Sequence, residues 1–395
     1  MSGPGRWLVI LGPLLALTGS APAADLQILK GDPFAGRELL SRKLCTDCHG
    51  VWGHGGDIGP DLSLAVTSKR WLDLVGDFWN HTPRMIDAMA RKGHAWPTID
   101  EEEMADLLSY LYYLRLFDEP GDPTRGSTSY VRLRCVECHT LGGRGGALGG
   151  PLDRFSAHPS SVPLAQAMWN AGPEMQRRQL DFGANIPTFS STDMADIQAY
   201  IRTTALRESG EIELLPLADP RRGSEVFAAK GCGTCHAPAS RQAPDLGTLV
   251  VDMTAAQISG ILWNHSYAMG DRMRADGIPF PRFSGTEMSD LISHLHLLGF
   301  FRESGDPETG RSIFEQKGCV KCHEGPGAVA QDLSKSRVAR EPIALSAAMW
   351  NHAPRMHGLL SEQAVAWPKF DLGEMGHVAA YLRRAAAATQ EGEEY

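Results

Sequence analysis

The sequence predicts an all-α chain of four tandem units, and three observations carry that prediction. The pentad Cys-x-x-Cys-His occurs four times, at 45–49, 135–139, 232–236 and 319–323. An Asp-Pro pair precedes each pentad, with its Pro twelve residues before the first Cys. A stretch with apolar residues at helical spacing closes each unit, as in Met104, Leu107, Leu108, Leu111 and Leu114. A chain of 395 residues exceeds one ordinary core, and four near-regular sites divide it into four.

In chain order, Met1 to Ala24 read as a secretory signal. Arg6 lies in the basic region, Trp7 to Leu17 form the apolar region, and the small residues Ser20 to Ala24 offer cleavage after Ala23 or Ala24. Eleven apolar residues are too few to span a bilayer, and no second run is long enough. The mature chain is therefore expected to be exported and to lack a transmembrane anchor. The formal charge of −9 becomes −10 once Arg6 is removed. That acidity argues against nucleic acid as a partner and favours docking on a basic patch of another protein.

Each unit then opens on a helix. Asp32-Pro33, Asp122-Pro123, Asp219-Pro220 and Asp306-Pro307 combine an N-cap with Pro at the first helical position. Three residues on stand Gly36, Gly126, Gly223 and Gly310. Glycine inside a helix costs about 1 kcal/mol relative to Ala. Its fourfold recurrence predicts close approach of another helix, namely the closing one that starts near Met104, Met194, Met288 and Met375.

The pentads follow. They hold all eight cysteines, Cys45, Cys48, Cys135, Cys138, Cys232, Cys235, Cys319 and Cys322, and Cys-x-x-Cys-His is the attachment signature of c-type haem. Two thiols one turn apart reach the two vinyl groups of a porphyrin, and the next residue, His49, His139, His236 or His323, puts an imidazole under the iron. Zinc would need two such knuckles folded together, whereas these lie roughly ninety residues apart. A redox dithiol would leave four histidines unexplained. Four covalently bound haem c groups are expected.

Next comes Trp-Asn, at Trp79-Asn80, Trp169-Asn170, Trp263-Asn264 and Trp350-Asn351. In every unit a Met follows six residues after the Trp, a Pro eighteen after and the closing-helix Met twenty-five after. Such constancy implies one backbone path used four times. The Trp is expected to pack on haem and the Asn to orient a ligand sulfur or a propionate. From first Cys to Trp the spacing is thirty-four residues in units one and two and thirty-one in units three and four, as an insertion in a surface loop would give.

A Gly and a large apolar residue four apart, the pentad directly after, and a closing helix ending in Tyr-Leu (Tyr110-Leu111, Tyr381-Leu382) resemble a class I cytochrome c domain. The resemblance covers almost the whole mature chain, four times over. It implies four tandem cytochrome c-like domains, each wrapping one haem, and an electron carrier in the periplasm that serves redox partner proteins. It also implies a methionine on the far side of each iron. Met85, Met175, Met269 and Met356 are preferred for that place, because Met104, Met194, Met288 and Met375 have an adequate role in packing. His81, His265 and His352 also recur, but unit two has Ala171 there, so they are not common to all four and are read as structural or propionate-binding. His94, which has no equivalent in the other units, is read as exposed or propionate-contacting. Gly59-Pro60-Asp61-Leu62, Gly150-Pro151-Leu152 and Ala243-Pro244-Asp245-Leu246 resemble the family's turn that accepts a hydrogen bond from the proximal His, while Ala330-Gln331-Asp332-Leu333 lacks the Pro.

The expected boundaries are 25–117, 118–207, 208–301 and 302–395, after the signal at 1–24. A longer connection at 208–216 suggests a pair of pairs split there. The rival to a pure carrier is a haem enzyme, of peroxidase or sulfur-compound dehydrogenase type, with one open iron in unit two. A subunit of a larger respiratory complex is a third reading.

Overall fold

The computed structural model describes residues 31–65, 69–114, 120–183, 185–206, 218–236, 240, 242–249, 253–300, 305–325 and 328–391. The expected signal segment, the connection at 208–216 and Ala184 lie outside them. Three main helices recur in each quarter. They are α1 (Pro33–Arg42), α2 (Trp71–Arg91) and α3 (Glu101–Leu114), then α4 (Pro123–Arg132), α5 (Val162–Asp181) and α6 (Asp193–Thr204). The second half repeats them as α7 (Pro220–Ala229), α8 (Ala255–Ala275) and α9 (Glu287–Phe300), then α10 (Pro307–Gln316), α11 (Pro342–Glu362) and α12 (Glu374–Glu391). The chain is mostly helical. Its strands among the described residues are two-residue hairpins, Gly50–Val51 with His54–Gly55 and Thr140–Leu141 with Arg144–Gly145.

The opening helices start as the Asp-Pro pairs require. Each Asp side chain accepts from a backbone N–H of the first turn, such as Phe34 N at 2.8 Å from Asp32. The closing helix holds the same corner from outside. The N–H of Asp32, Asp122 and Asp219 donates to Asp106, Asp196 and Asp290 at 2.6–2.7 Å, and in unit four the Asp306 N–H meets His377 Nδ1 at 2.9 Å. The recurrent glycine sits where these two helices cross. A Cβ on Gly36, Gly126, Gly223 or Gly310 would lie 1.9–2.1 Å from a backbone oxygen of the closing helix. The close approach read from the sequence is therefore real, and Ala there would force the helices apart. Met104, Met194, Met288 and Met375 are at most 2 % exposed and belong to the core.

Each closing helix also carries an acid just before that Met, and a base ahead of the pentad reaches it. Lys43 meets Glu103 at 2.7 Å, Arg132 meets Asp193 at 2.5 Å, Lys230 meets Glu287 at 3.0 Å and Lys317 meets Glu374 at 2.7 Å. Burial opposes ionisation of Asp193, but Arg132, Ser129 and Ser190 outweigh it and hold the carboxyl down at about 2.

The units do form two pairs, but not those that the connection lengths suggest. Unit two packs on unit three along α5 and α8, and unit one packs on unit four along α2 and α11. One core joins Leu40, Trp71 and Leu108 to Phe314, Met375 and Leu382, and Leu297 and Phe300 of unit three belong to it as well. Trp263 of unit three enters the core of unit two, and Trp169 of unit two enters that of unit three. Units one and three touch as well: the Tyr112 hydroxyl donates to Ser293 O, and that of Tyr113 to Ala218 O at 2.9 Å. Apolar surface on the long helices decides the partners, and a connection needs only to reach.

Candidate functional site

Each pentad begins at a sharp turn. The residue before the first Cys adopts a left-handed conformation in all four units: Gly231 and Gly318 with φ near 73 and 78°, Leu44 and Arg134 with φ of 62°. Such a backbone costs roughly 1–2 kcal/mol for a residue with a Cβ. The two glycines avoid that cost, and units one and two bear it. One helical turn follows, closed by the His N–H on the first Cys carbonyl at 2.9–3.0 Å. This turn sets both thiols and the imidazole on one short piece of backbone.

Burial pushes the first thiol of every pair up, to about 11 for Cys45, about 12 for Cys135 and about 11 for Cys319, with Cys232 raised as well. A redox-active Cys-x-x-Cys pair needs the reverse shift. Among the described residues, no group of three or more His, Cys, Asp or Glu side chains could hold a metal ion.

The imidazoles are fixed by backbone carbonyls. His49 Nδ1 bonds Pro60 O at 2.9 Å, His139 Nδ1 bonds Gly150 O at 2.8 Å, His236 Nδ1 bonds Pro244 O at 3.0 Å and His323 Nδ1 bonds Gln331 O at 3.2 Å. With Nδ1–H given to a carbonyl, Nε2 keeps its lone pair for a metal. In unit two the acceptor is Gly150, so the matching turn is Gly149-Gly150-Pro151-Leu152, one residue earlier than the Gly-Pro resemblance places it. Gly59 and Gly149 lie flat on the rings, and a Cβ there would come within 2.4 and 2.3 Å of Cε1. In unit four the carbonyl of Gln331 does the work of the missing Pro at the longest of the four distances.

From His to acceptor the chain runs eleven residues in units one and two and eight in units three and four. The three-residue difference foreseen between Cys and Trp thus falls wholly in this loop, where the two small hairpins form.

The long helix brings a second imidazole to the first. The rings of His49 and His81 have centroids 6.4 Å apart, those of His236 and His265 6.2 Å, and those of His323 and His352 6.0 Å, with planes at 63–73°. Burial lowers the pKa of His81, His265 and His352, and the facing His49, His236 and His323 push the same way, so the neutral form is favoured. His81 Nδ1 is taken by Asp77 O of its own helix. Unit two has Ala171 here, exposed. Met85, Met175, Met269 and Met356 are half-buried one helical turn beyond. Their Trp+6 spacing was legible in the sequence, and so was the His at Trp+2. Requiring one ligand type in all four units set those histidines aside.

Trp-Asn joins one unit to another, a role not read from the sequence. The Asn80 side chain donates to Phe370 O at 2.7 Å and accepts from Phe370 N at 2.7 Å, while Trp79 Nε1 donates to Pro368 O at 2.8 Å. Unit four returns the contact through Asn351 on Ile99 and Trp350 on Pro97. Units two and three do the same, with Asn170 on Phe283, Trp169 on Pro281, Asn264 on Phe189 and Trp263 on Pro187. The motif is a reciprocal clasp between paired units, and the Pro at Trp+18 is its receiving end. His94, in turn, pairs with Asp47 inside the first pentad at 3.1 Å.

A family model described as Cytochrome c matches residues 123–205. That stretch is a cytochrome c domain. It coincides with unit two, and haem-based electron transfer is the chemistry that goes with it. No curated protein and no solved structure matches the chain. For a haem, this cytochrome c domain supplies a fitting donor set: Cys135 and Cys138 beside the macrocycle and His139 with its Nε2 available. The other three pentads present the same atoms. No helix among the described residues is long and apolar enough to cross a membrane.

Proposed function

We propose that the chain is a tetrahaem c-type cytochrome: an exported, periplasmic carrier that passes electrons between redox partner proteins. Cys45 and Cys48, Cys135 and Cys138, Cys232 and Cys235, and Cys319 and Cys322 would tether four haems, with His49, His139, His236 and His323 as the proximal ligands. The observation that carries the reading is the fourfold Nδ1-to-carbonyl bond, since it fixes the ring and presents Nε2 in a set direction beside every Cys-x-x-Cys pair. The bound haem supplies the redox change, and the protein sets its ligands, its surroundings and its distance to the next. The domains are taken as 25–117, 118–207, 208–301 and 302–395, after a cleaved signal at 1–24.

Intact-mass measurement of protein expressed with haem-attachment machinery tests this. Four added haems and removal of about 24 residues are expected, and fewer than four haems would refute it. The rival, an enzyme with one open iron in unit two, is favoured by Ala171 alone. Rapid carbon monoxide binding to one haem in four of the wild-type protein would support that rival.

A further inference from the structure

The four pentads present the same thiol and imidazole atoms, and the long helix is the element that brings a further donor to face them. In units one, three and four, that helix sets an imidazole 6.0–6.4 Å from the proximal one. A metal–imidazole bond is about 2 Å and the nitrogen stands roughly 1 Å from the ring centre, so two imidazoles sharing one metal have centres roughly 6 Å apart. Simple edge-to-face contact falls in the same range, and in unit one the hydrogen bonds separate the two cases. In unit one both Nδ1 atoms are spent on carbonyls, Pro60 O for His49 and Asp77 O for His81, which leaves both Nε2 atoms as the donors. Two rings in edge contact for packing alone need no such pair of anchors.

Unit two departs at one position. Ala171 has no donor, but Met175 lies four residues further along α5, on the same face. Long side chains on a helix lean toward its N-terminus, over the preceding turn, so Met175 covers the place that Ala171 leaves bare. It packs against the unit-two core together with Cys135 and Val136.

We propose that the four irons are not ligated alike: units one, three and four hold theirs between two imidazoles, His49/His81, His236/His265 and His323/His352, whereas unit two pairs His139 with the thioether of Met175. This assignment rests on the tetrahaem reading, and it replaces the uniform methionine series at Met85, Met269 and Met356. Thioether sulfur favours ferrous iron, so unit two becomes the centre of highest potential. Electrons entering at any unit would settle there.

Haem counting by mass comes first, and a count below four fails the tetrahaem reading without touching the ligand assignment of the haems present. Near-infrared magnetic circular dichroism of the oxidised holoprotein then separates imidazole–imidazole from imidazole–thioether irons, and a ratio of three to one is expected. Met175→Leu should abolish the thioether band and open one haem in four to carbon monoxide. Met175→His keeps the iron closed; it should give four bis-imidazole signals and bring the highest of the four midpoint potentials down among the others. Four thioether signals, none at all, or a thioether band that survives in Met175→Leu would overturn the assignment.

Discussion

The pair formed by units one and four and the pair formed by units two and three use the same clasp but reinforce it differently. In the outer pair, Trp79 stacks on Trp367 and Trp96 on Trp350, both at 4.4 Å. Pro83 and Pro354, four residues after Trp79 and Trp350, have no N–H for those Trp carbonyls, which accept instead from the partner's indoles. Trp367 Nε1 reaches Trp79 O at 2.9 Å, and Trp96 Nε1 reaches Trp350 O at 3.1 Å. In the inner pair Trp169 stacks on Phe280 at 4.8 Å, while Ile186 stands where unit one has Trp96. The Trp263 carbonyl accepts from Ser266 at 2.7 Å, whose hydroxyl accepts from Gln176 of unit two at 2.8 Å.

The outer clasp joins residues 252–290 apart in the chain and the inner one residues 75–113 apart. Closing the longer loop costs about 1 kcal/mol more by loop entropy. One further aromatic stack, at about 0.5–1.5 kcal/mol, with two indole hydrogen bonds at about 0.5–1.5 kcal/mol each, more than offsets that. The aromatic surplus lies in the pair that has further to close.

The largest test of that contrast is Trp79→Ala, which removes a buried ring, its stack and its hydrogen bond. A loss of about 3–5 kcal/mol in urea unfolding is expected, and the outer pair should come apart before the inner one. Asn80→Ala and Asn170→Ala each leave a partner's backbone N–H and C=O unpaired, so about 2–3 kcal/mol is expected from each. Near-equal losses are required if the clasp is common to both pairs, and a clear inequality would break the comparison.

Acid should act chiefly on the inner pair. The Asp193 carboxyl is held at about 2 in the folded chain, below the value near 4 of an unfolded Asp. Its contribution, on the order of 2 kcal/mol, is full above pH ~4 and is lost as pH falls from there toward 2. Unit-two signals should melt first in an acid titration followed by NMR or hydrogen exchange, and Asp193→Asn should flatten that slope. Trp96→Ile, which gives unit one the residue of unit two, should cost about 1–2 kcal/mol. Smallest is Leu44→Gly, which relieves a left-handed turn and should stabilise by up to about 1 kcal/mol, whereas Gly318→Ala in unit four should do the opposite.

The sequence revealed what is local. Asp-Pro caps, the crossing glycines and the core methionines each state their role within a dozen residues or across one unit, and the helices form where they were read. The partners of Trp-Asn could not be read that way. Their receiving Pro and Phe or Ile lie in another unit, and the Trp+18 offset fits a single repeated backbone path as well as it fits a contact between copies. Connection length misled for the same reason, since a short link limits reach without choosing a face. The imidazoles at Trp+2 were visible, but their approach to the pentad histidines was not, because that distance is set by how the long helix packs.

The order of the pairs, one with four around two with three, has a consequence for biosynthesis. A chain made from its N-terminus completes the inner contact as soon as the third quarter follows the second. Trp79 and Trp96 must wait for residues near 350 and 368, which belong to the last quarter of the chain to be made. Until then the first quarter keeps a bare indole face, while the contacts of Tyr112 and Tyr113 with unit three can already form, so unit three steadies the N-terminal quarter before its own mate arrives.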